Sequence, residues 1–174
     1  MNLKKFVRSI PDYPKKGILF RDITSLIENT RAFNYALKKM YTISKKINHT
    51  KIAGIESRGF IFASAIAARL ERGCILLRKP KKLPRERFSV SYQLEYGTDS
   101  IEIHKDALTE KDKVLIVDDV LATGGTLCAA IELLAMTKAQ CIGSAVVAEI
   151  DFLEGRKRVT SRFPDHKLEA LFNL

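Results

Sequence analysis

From Lys51 onward the chain alternates short apolar runs with stretches whose apolar residues recur at helical spacing. Residues 114–117, Val-Leu-Ile-Val, are apolar without alternation, as expected of a strand covered on both faces in a parallel sheet. Residues 51–55, 74–78 and 141–150 read as further strands. Phe33, Leu37, Met40 and Ile47 predict a helix over about residues 30–47. Phe62, Ile66 and Leu70 predict a second helix, and Leu127, Ile131 and Leu134 a third. Strands alternating with helices place the chain in the α/β class, with a mainly parallel central sheet flanked by helices. Such sheets bind ligands at the carboxyl ends of their strands.

Two segments depart from this pattern. Val90, Tyr92, Leu94 and Tyr96 alternate with Ser91, Gln93 and Glu95, and Ile101 and Ile103 alternate with Glu102. This predicts an antiparallel β-hairpin turning through Gly97 and Thr98, with Glu95 on its polar side. At the start, Leu3, Phe6, Val7 and Ile10 fit a short amphipathic helix over residues 2–10, stopped by Pro11. The turn-rich residues 11–17 then lead into an exposed apolar segment, Ile18-Leu19-Phe20. After residue 150 the pattern predicts a helix and an edge strand, with no functional motif.

The chemistry concentrates after Val117. Asp118 and Asp119 follow the apolar strand, and Ala122-Thr123-Gly124-Gly125-Thr126 turns into the next helix. The first backbone N–H groups of a helix have no intrahelical partner, so with the positive end of the dipole they can hold a phosphate. Glycines allow close backbone approach, and the Thr123 and Thr126 hydroxyls add donors. The spacing matches neither a nucleoside-triphosphate loop nor a dinucleotide fingerprint. A plain strand-to-helix turn with Asp and Thr as caps is the bland alternative; the adjacent acids favour a phosphorylated sugar. A second strand–turn–helix, Glu56-Ser57-Arg58-Gly59, repeats this logic, and its arginine offers a planar fork to pyrophosphate oxygens. The basic exit Arg78-Lys79, with Lys82 beyond it, suits a highly charged leaving group.

Residues 114–127 resemble the thirteen-residue signature of the type I phosphoribosyltransferases. Together with Gly54-Ile55-Glu56-Ser57-Arg58-Gly59-Phe60, Arg78-Lys79-Pro80, Leu94-Glu95-Tyr96-Gly97 and Phe20-Arg21-Asp22-Ile23, the chain resembles the adenine-specific branch of that family. The resemblance spans nearly the whole chain and is weakest over residues 151–174. It implies purine salvage: transfer of the 5-phosphoribosyl group of phosphoribosyl pyrophosphate to adenine, giving AMP and pyrophosphate. It further implies that Asp118 and Asp119 hold ribose, and that residues 122–126 hold the 5-phosphate. Glu56, Ser57, Arg58, Arg78, Lys79 and Lys82 would hold pyrophosphate, and Leu19, Phe20, Arg21 and Val120 the base. Residues 11–23 would form the base-pocket segment and residues 82–104 a mobile hood carrying Glu95 as the catalytic residue. Magnesium is expected on the substrate and water near Asp118 and Asp119, without a dedicated protein site. A homodimer is expected as well. Several related transferases carry an acid where this chain has Ala122, which leaves the purine proton to Glu95 or water. Transferases for xanthine, guanine or orotate remain open alternatives, as does a regulator that senses metabolites while binding nucleic acid.

Composition narrows the setting. A length of 174 residues with 46% hydrophobic content suits one domain over residues 1–174. Cys74, Cys128 and Cys141 are scattered, which reads as buried apolar residues in a reducing compartment, and His49, His104 and His166 suggest no zinc site. No run approaches a membrane span or an export signal, so the expected location is cytoplasmic. The charge of +10 and pI of about 9.6 fit polyphosphate substrates as well as nucleic acid. Six of the ten residues from 78 to 87 are basic, but Pro80 and Pro84 prevent a regular groove-binding helix, which disfavours nucleic acid. The cluster Arg156-Lys157-Arg158 with Arg162 reads as a solvated face.

Overall fold

The continuous apolar runs become the middle of a five-stranded parallel sheet. In the computed structural model, which describes residues 1–94 and 97–174, these strands are β3 (Lys51–Ile55), β4 (Gly73–Leu77), β7 (Lys113–Leu121), β8 (Gln140–Glu149) and β9 (Leu168–Asn173). Their order is β4-β3-β7-β8-β9. From β3 the sheet grows toward β4 on one side and toward β8 and β9, through β7, on the other, so the chain changes direction between β3 and β7. That is where an open α/β sheet leaves a crevice.

Alternation along β7 shows why its run is apolar throughout. Val114 and Ile116 enter one hydrophobic cluster with Leu127, Ile131 and Leu134 of α4 (Gly125–Met136). Leu115 and Val117 enter the other, with Met40 of α2 (Thr30–Lys45) and Phe62 of α3 (Gly59–Arg69). All four strand residues are fully buried. A one-residue register slip would exchange the two faces. The parallel sheet and its flanking helices match the α/β expectation. The tail supplies the expected helix and edge strand as α5 (Gly155–Arg162) and β9.

The expected N-terminal helix is replaced by a short 3-10 turn, Leu3–Phe6, and a strand, β1 (Arg8–Pro11). β1 pairs antiparallel with β2 (Leu19–Asp22), placing Arg8 opposite Asp22 and Ile10 opposite Phe20. The Arg21 guanidinium donates to the Ser9 hydroxyl, and Tyr13 meets Phe20 edge-on at 5.1 Å between ring centroids. These partners lie outside the window in which helical periodicity is read, so local spacing gave the wrong element. A short helix, α1 (Thr24–Glu28), connects β2 to α2.

The hairpin forms from β5 (Arg87–Leu94) and β6 (Gly97–His104). Its register pairs Leu94 with Gly97 and Gln93 with Thr98, so Gly97 and Thr98 belong to the strand rather than to the expected turn. Tyr92, Ile101 and Ile103 join the α4-side core, so the hairpin is anchored in the fold. Glu102, despite its polar place in the alternation, is 6% exposed. It pairs with Arg87, accepts from the Lys81 amide, and its backbone exchanges hydrogen bonds with Arg78.

Candidate active site

β7 continues beyond the apolar run, so Asp118 and Asp119 lie within the strand and not beyond it. Pairing with β3 stops at Val117 opposite Gly54, whereas pairing with β8 continues to Leu121 opposite Glu149. The acids therefore stand where one neighbour has ended, at the crevice. Their environments differ. Asp119 is 6% exposed and its carboxylate accepts from Arg58 Nε at 2.5 Å. Asp118 accepts from the Asp119 amide at 2.9 Å, and burial, followed by repulsion from Asp119, pushes its carboxyl above the ordinary range.

Gly59 lets α3 begin against this pair. A Cβ there would lie 2.6 Å from Asp118 Oδ1 and 3.2 Å from the Val117 carbonyl oxygen. The preceding residue, Arg58, is thereby delivered to Asp119, with its guanidinium 5.6 Å from the Phe20 ring centroid. Arg58, expected on pyrophosphate, thus stands between the candidate ribose acid and the candidate base wall.

The turn after Leu121 has the form expected of an anion cradle. Gly124 holds φ at 78°, a left-handed conformation that disfavours side chains, and as the N-cap residue it brings no side chain to the first turn of α4. The leading amides of α4 thus remain available to a ligand.

These elements open onto one cavity of about 590 Å³. Of the expected site residues, Leu19, Phe20, Arg21, Arg58, Asp119, Val120, Ala122 and Thr123 line it. Ile150, Phe152 and Leu153 form its other wall. These three were missed in the sequence; the available signal was an apolar cluster directly beyond β8, at the same sheet end as the other motifs. Phe152 is 63% exposed, an unusual setting for a large aromatic side chain.

Three of the remaining pyrophosphate candidates, Arg78, Lys79 and Lys82, gather around a fourth, Glu56. Its carboxylate accepts from Arg78 Nε at 3.1 Å and from the Lys79 amide at 2.8 Å, and Arg78 also donates to the Lys82 carbonyl at 3.2 Å. Burial opposes the charge on Glu56, but these donors outweigh it and hold its carboxyl below the ordinary value. The Lys79 ammonium donates to Asp99 and, at 2.9 Å, to the Tyr92 hydroxyl, so it is engaged with the hairpin. Burial disfavours its charge, yet those bonds keep its pKa raised. Glu95, the expected catalytic residue, lies outside the described residues, as does Tyr96.

Among the described residues, no group of three or more His, Cys, Asp and Glu side chains converges to hold a metal, and no helix is long and apolar enough to cross a membrane.

The parallel sheet with its crevice is the fold of a phosphoribosyltransferase, and the phosphoribosyl transferase domain profile matches residues 24–169. The adenine phosphoribosyltransferase of Halothermothrix orenii is 51% identical over 159 residues, covering 91% of this chain and 94% of that protein. The crystal structure of the adenine phosphoribosyltransferase from Thermoanaerobacter pseudethanolicus superposes with a TM-score of 0.92 at 42% identity, covering 99% of this chain and 98% of that one. The Saccharomyces cerevisiae enzyme, solved with an iminoaltritol bisphosphate and adenine, gives 0.84 at 35% identity, covering 95% and 94%. The chain belongs to the adenine phosphoribosyltransferase family. The family resemblance carried by the motifs of the sequence is therefore borne out.

Proposed function

We propose that this chain transfers the 5-phosphoribosyl group of phosphoribosyl pyrophosphate to N9 of adenine, giving AMP and pyrophosphate in purine salvage. One observation carries the reading: a single cavity runs from apolar walls at Phe20, Ile150 and Leu153, past Arg58 and Asp119, to Ala122 and Thr123 at the phosphate turn. That sequence of surfaces suits a base, a sugar and a phosphate in turn. The yeast relative's joint occupancy by adenine and a bisphosphorylated iminosugar fits the same division.

The amides and hydroxyls of residues 123–126 hold the 5-phosphate, with Ala122 opening the turn. Asp118 and Asp119 receive the ribose hydroxyls. β2 pairs only with β1 among the described residues, so its other edge leaves backbone groups near Leu19 and Arg21 to read the purine, with Phe20 and Val120 as apolar contacts. Glu56, Ser57, Arg58, Arg78, Lys79 and Lys82 surround the pyrophosphate.

Breaking the bond between C1 of ribose and a good leaving group develops positive charge on the sugar. Catalysis therefore rests on alignment of the two reactants and on cations that stabilise the departing pyrophosphate. Asp118 and Asp119 offer the hard oxygen donors that magnesium prefers, but two adjacent carboxylates suit contact through sugar hydroxyls and water better than direct enclosure. Asp118 and Asp119 would hold magnesium through sugar hydroxyls and water, and the ion would supply charge neutralisation for the departing pyrophosphate. Glu95 is the group that exchanges the purine proton.

The active species is a homodimer in the cytoplasm. Support for the dimer comes from Leu76 on edge strand β4 and Ile61 on α3, 43% and 40% exposed. Support for the compartment comes from three free thiols, Cys74, Cys128 and Cys141. The reaction is tested by incubating the protein with phosphoribosyl pyrophosphate, magnesium and adenine, hypoxanthine, guanine, xanthine or orotate in turn. AMP formation with adenine, far above any other product, is the expected result. Product from another base alone overturns the assignment.

A further inference from the structure

The surface cluster Arg156-Lys157-Arg158 is not uniformly solvated. Arg156 donates through Nε to both carboxylate oxygens of Glu149 at 3.0 Å and through a terminal nitrogen to Oε2 at 2.5 Å. Its other terminal nitrogen donates to the Leu168 carbonyl at 2.7 Å. Glu149 is 5% exposed at the end of β8, and Leu168 begins β9. One guanidinium therefore ties the start of α5 to two strands. Forked pairing of this kind fixes direction as well as distance, which a lysine ammonium does not.

What this tie positions is Gly155, the first residue of α5. Gly155 is buried against the turn of residues 122–124: a Cβ on it would fall 2.1 Å from the Ala122 carbonyl oxygen and 3.0 Å from the Gly124 nitrogen. The contact is reciprocal, since a Cβ on Gly124 would fall 2.6 Å from the Gly155 carbonyl oxygen. Two backbones meet here with no side chain between them. Glu149 also stands opposite Leu121, the residue immediately before the turn. The turn is thus held from its strand side by the β7–β8 register and from beneath by α5.

We infer that Arg156 is a positioning residue for the phosphate turn: by seating Gly155 under residues 122–124 from an anchor on Glu149, it fixes the geometry in which the following amides meet the 5-phosphate. The inference rests on the assignment of the 5-phosphate to residues 122–126. It gives a function to the part of the chain in which the sequence carried no recognisable motif. Arg156 lies outside the cavity lining, so it acts on the ligand indirectly, through Gly155 and the turn.

The test compares AMP, which carries the phosphate, with adenine, which does not. Calorimetric affinities are measured for the parent protein, Arg156→Gln, Arg156→Lys, Gly155→Ala and the loop variant Thr126→Ala, alongside melting temperatures and the KM for phosphoribosyl pyrophosphate. Displacing the turn is expected to weaken AMP by about 10-fold or more in Arg156→Gln and Gly155→Ala, with KM rising in step. Adenine affinity stays within about 3-fold, and Arg156→Lys recovers only part of the loss because it restores charge without the fork. A lowered melting temperature with unchanged AMP affinity, or parallel weakening of AMP and adenine, would reduce the pair to a structural tie and overturn the inference. If Thr126→Ala weakens AMP and neither Arg156→Gln nor Gly155→Ala does, only the inference fails. If Thr126→Ala also leaves AMP binding intact, the phosphate assignment fails and takes the inference with it.

Discussion

Arg58 Nε donates to Asp119 Oδ2 at 2.5 Å, joining the start of α3 to β7 across the crevice of the sheet. The side chains are unequal in exposure, 36% for Arg58 and 9% for Asp119. The loss of one partner therefore differs in cost from the loss of the other. Removing the arginine leaves a buried carboxylate without its cation, whereas removing the acid leaves a guanidinium that can still reach water.

Arg58→Met is accordingly expected to destabilise by about 2–4 kcal/mol and Asp119→Asn by about half as much, by urea unfolding near neutral pH. Both variants are expected to weaken phosphoribosyl pyrophosphate, Arg58→Met by about 10-fold or more for want of a cation at the leaving group. Equal stability losses would contradict the asymmetry.

Glu95→Gln tests the proton role assigned to the hairpin. Turnover is expected to fall by about 100-fold, with the affinity for phosphoribosyl pyrophosphate changed by less than about 3-fold. Steady-state kinetics together with a separate binding titration resolve the two effects. Unchanged turnover removes Glu95 from the mechanism and leaves the proton to water.

The crevice was legible because its residues act locally. The run at residues 114–117 declares a buried strand, and the paired acids and the glycine turn follow within fourteen positions of chain, 114–127, although the strand itself runs on through both acids to Leu121. The parts that were not legible depend on distant partners. β1 exists because Arg8 to Pro11 pair with Leu19 to Asp22, and no periodicity within residues 2–10 reports that. Glu102 alternates with Ile101 and Ile103, yet it too is buried, because Arg87 and the backbone around residues 78–81 cover it, partners that alternation does not report. Arg156 looked solvated from its basic neighbours, while its partner Glu149 ends another element. The pocket wall at Ile150, Phe152 and Leu153 has apolar character but no motif; only the sheet order brings it opposite Phe20.

Two histidines set an acid limit on stability. His49 is buried, with Nδ1 2.7 Å from the Ile47 carbonyl oxygen and Nε2 without a hydrogen-bond partner among the described residues. His166 Nε2 lies 2.8 Å from the Ser144 hydroxyl. Burial lowers the pKa of both below the ordinary value. With folded values below the unfolded value of about 6.5, the unfolded chain takes up protons first as pH falls. Their contribution is complete above about pH 6.5 and is lost on acidification through the folded values, at up to about 1.4 kcal/mol per pH unit for each histidine. His166→Asn is expected to melt lower than the parent at pH 8 but to lose less between pH 7 and pH 5, since comparison with the parent cancels the titration of other groups. An identical slope in thermal scans would contradict this.

A crystal structure with AMP tests whether the turn after β7 holds the 5-phosphate while Asp118 and Asp119 face the ribose. The phosphate is expected within hydrogen-bond distance of the amides of residues 123–126, with the ribose hydroxyls at the acids and the purine between Phe20 and the Ile150–Leu153 side. AMP bound with its phosphate elsewhere, or a turn that stays closed to it at saturating ligand, would contradict the account.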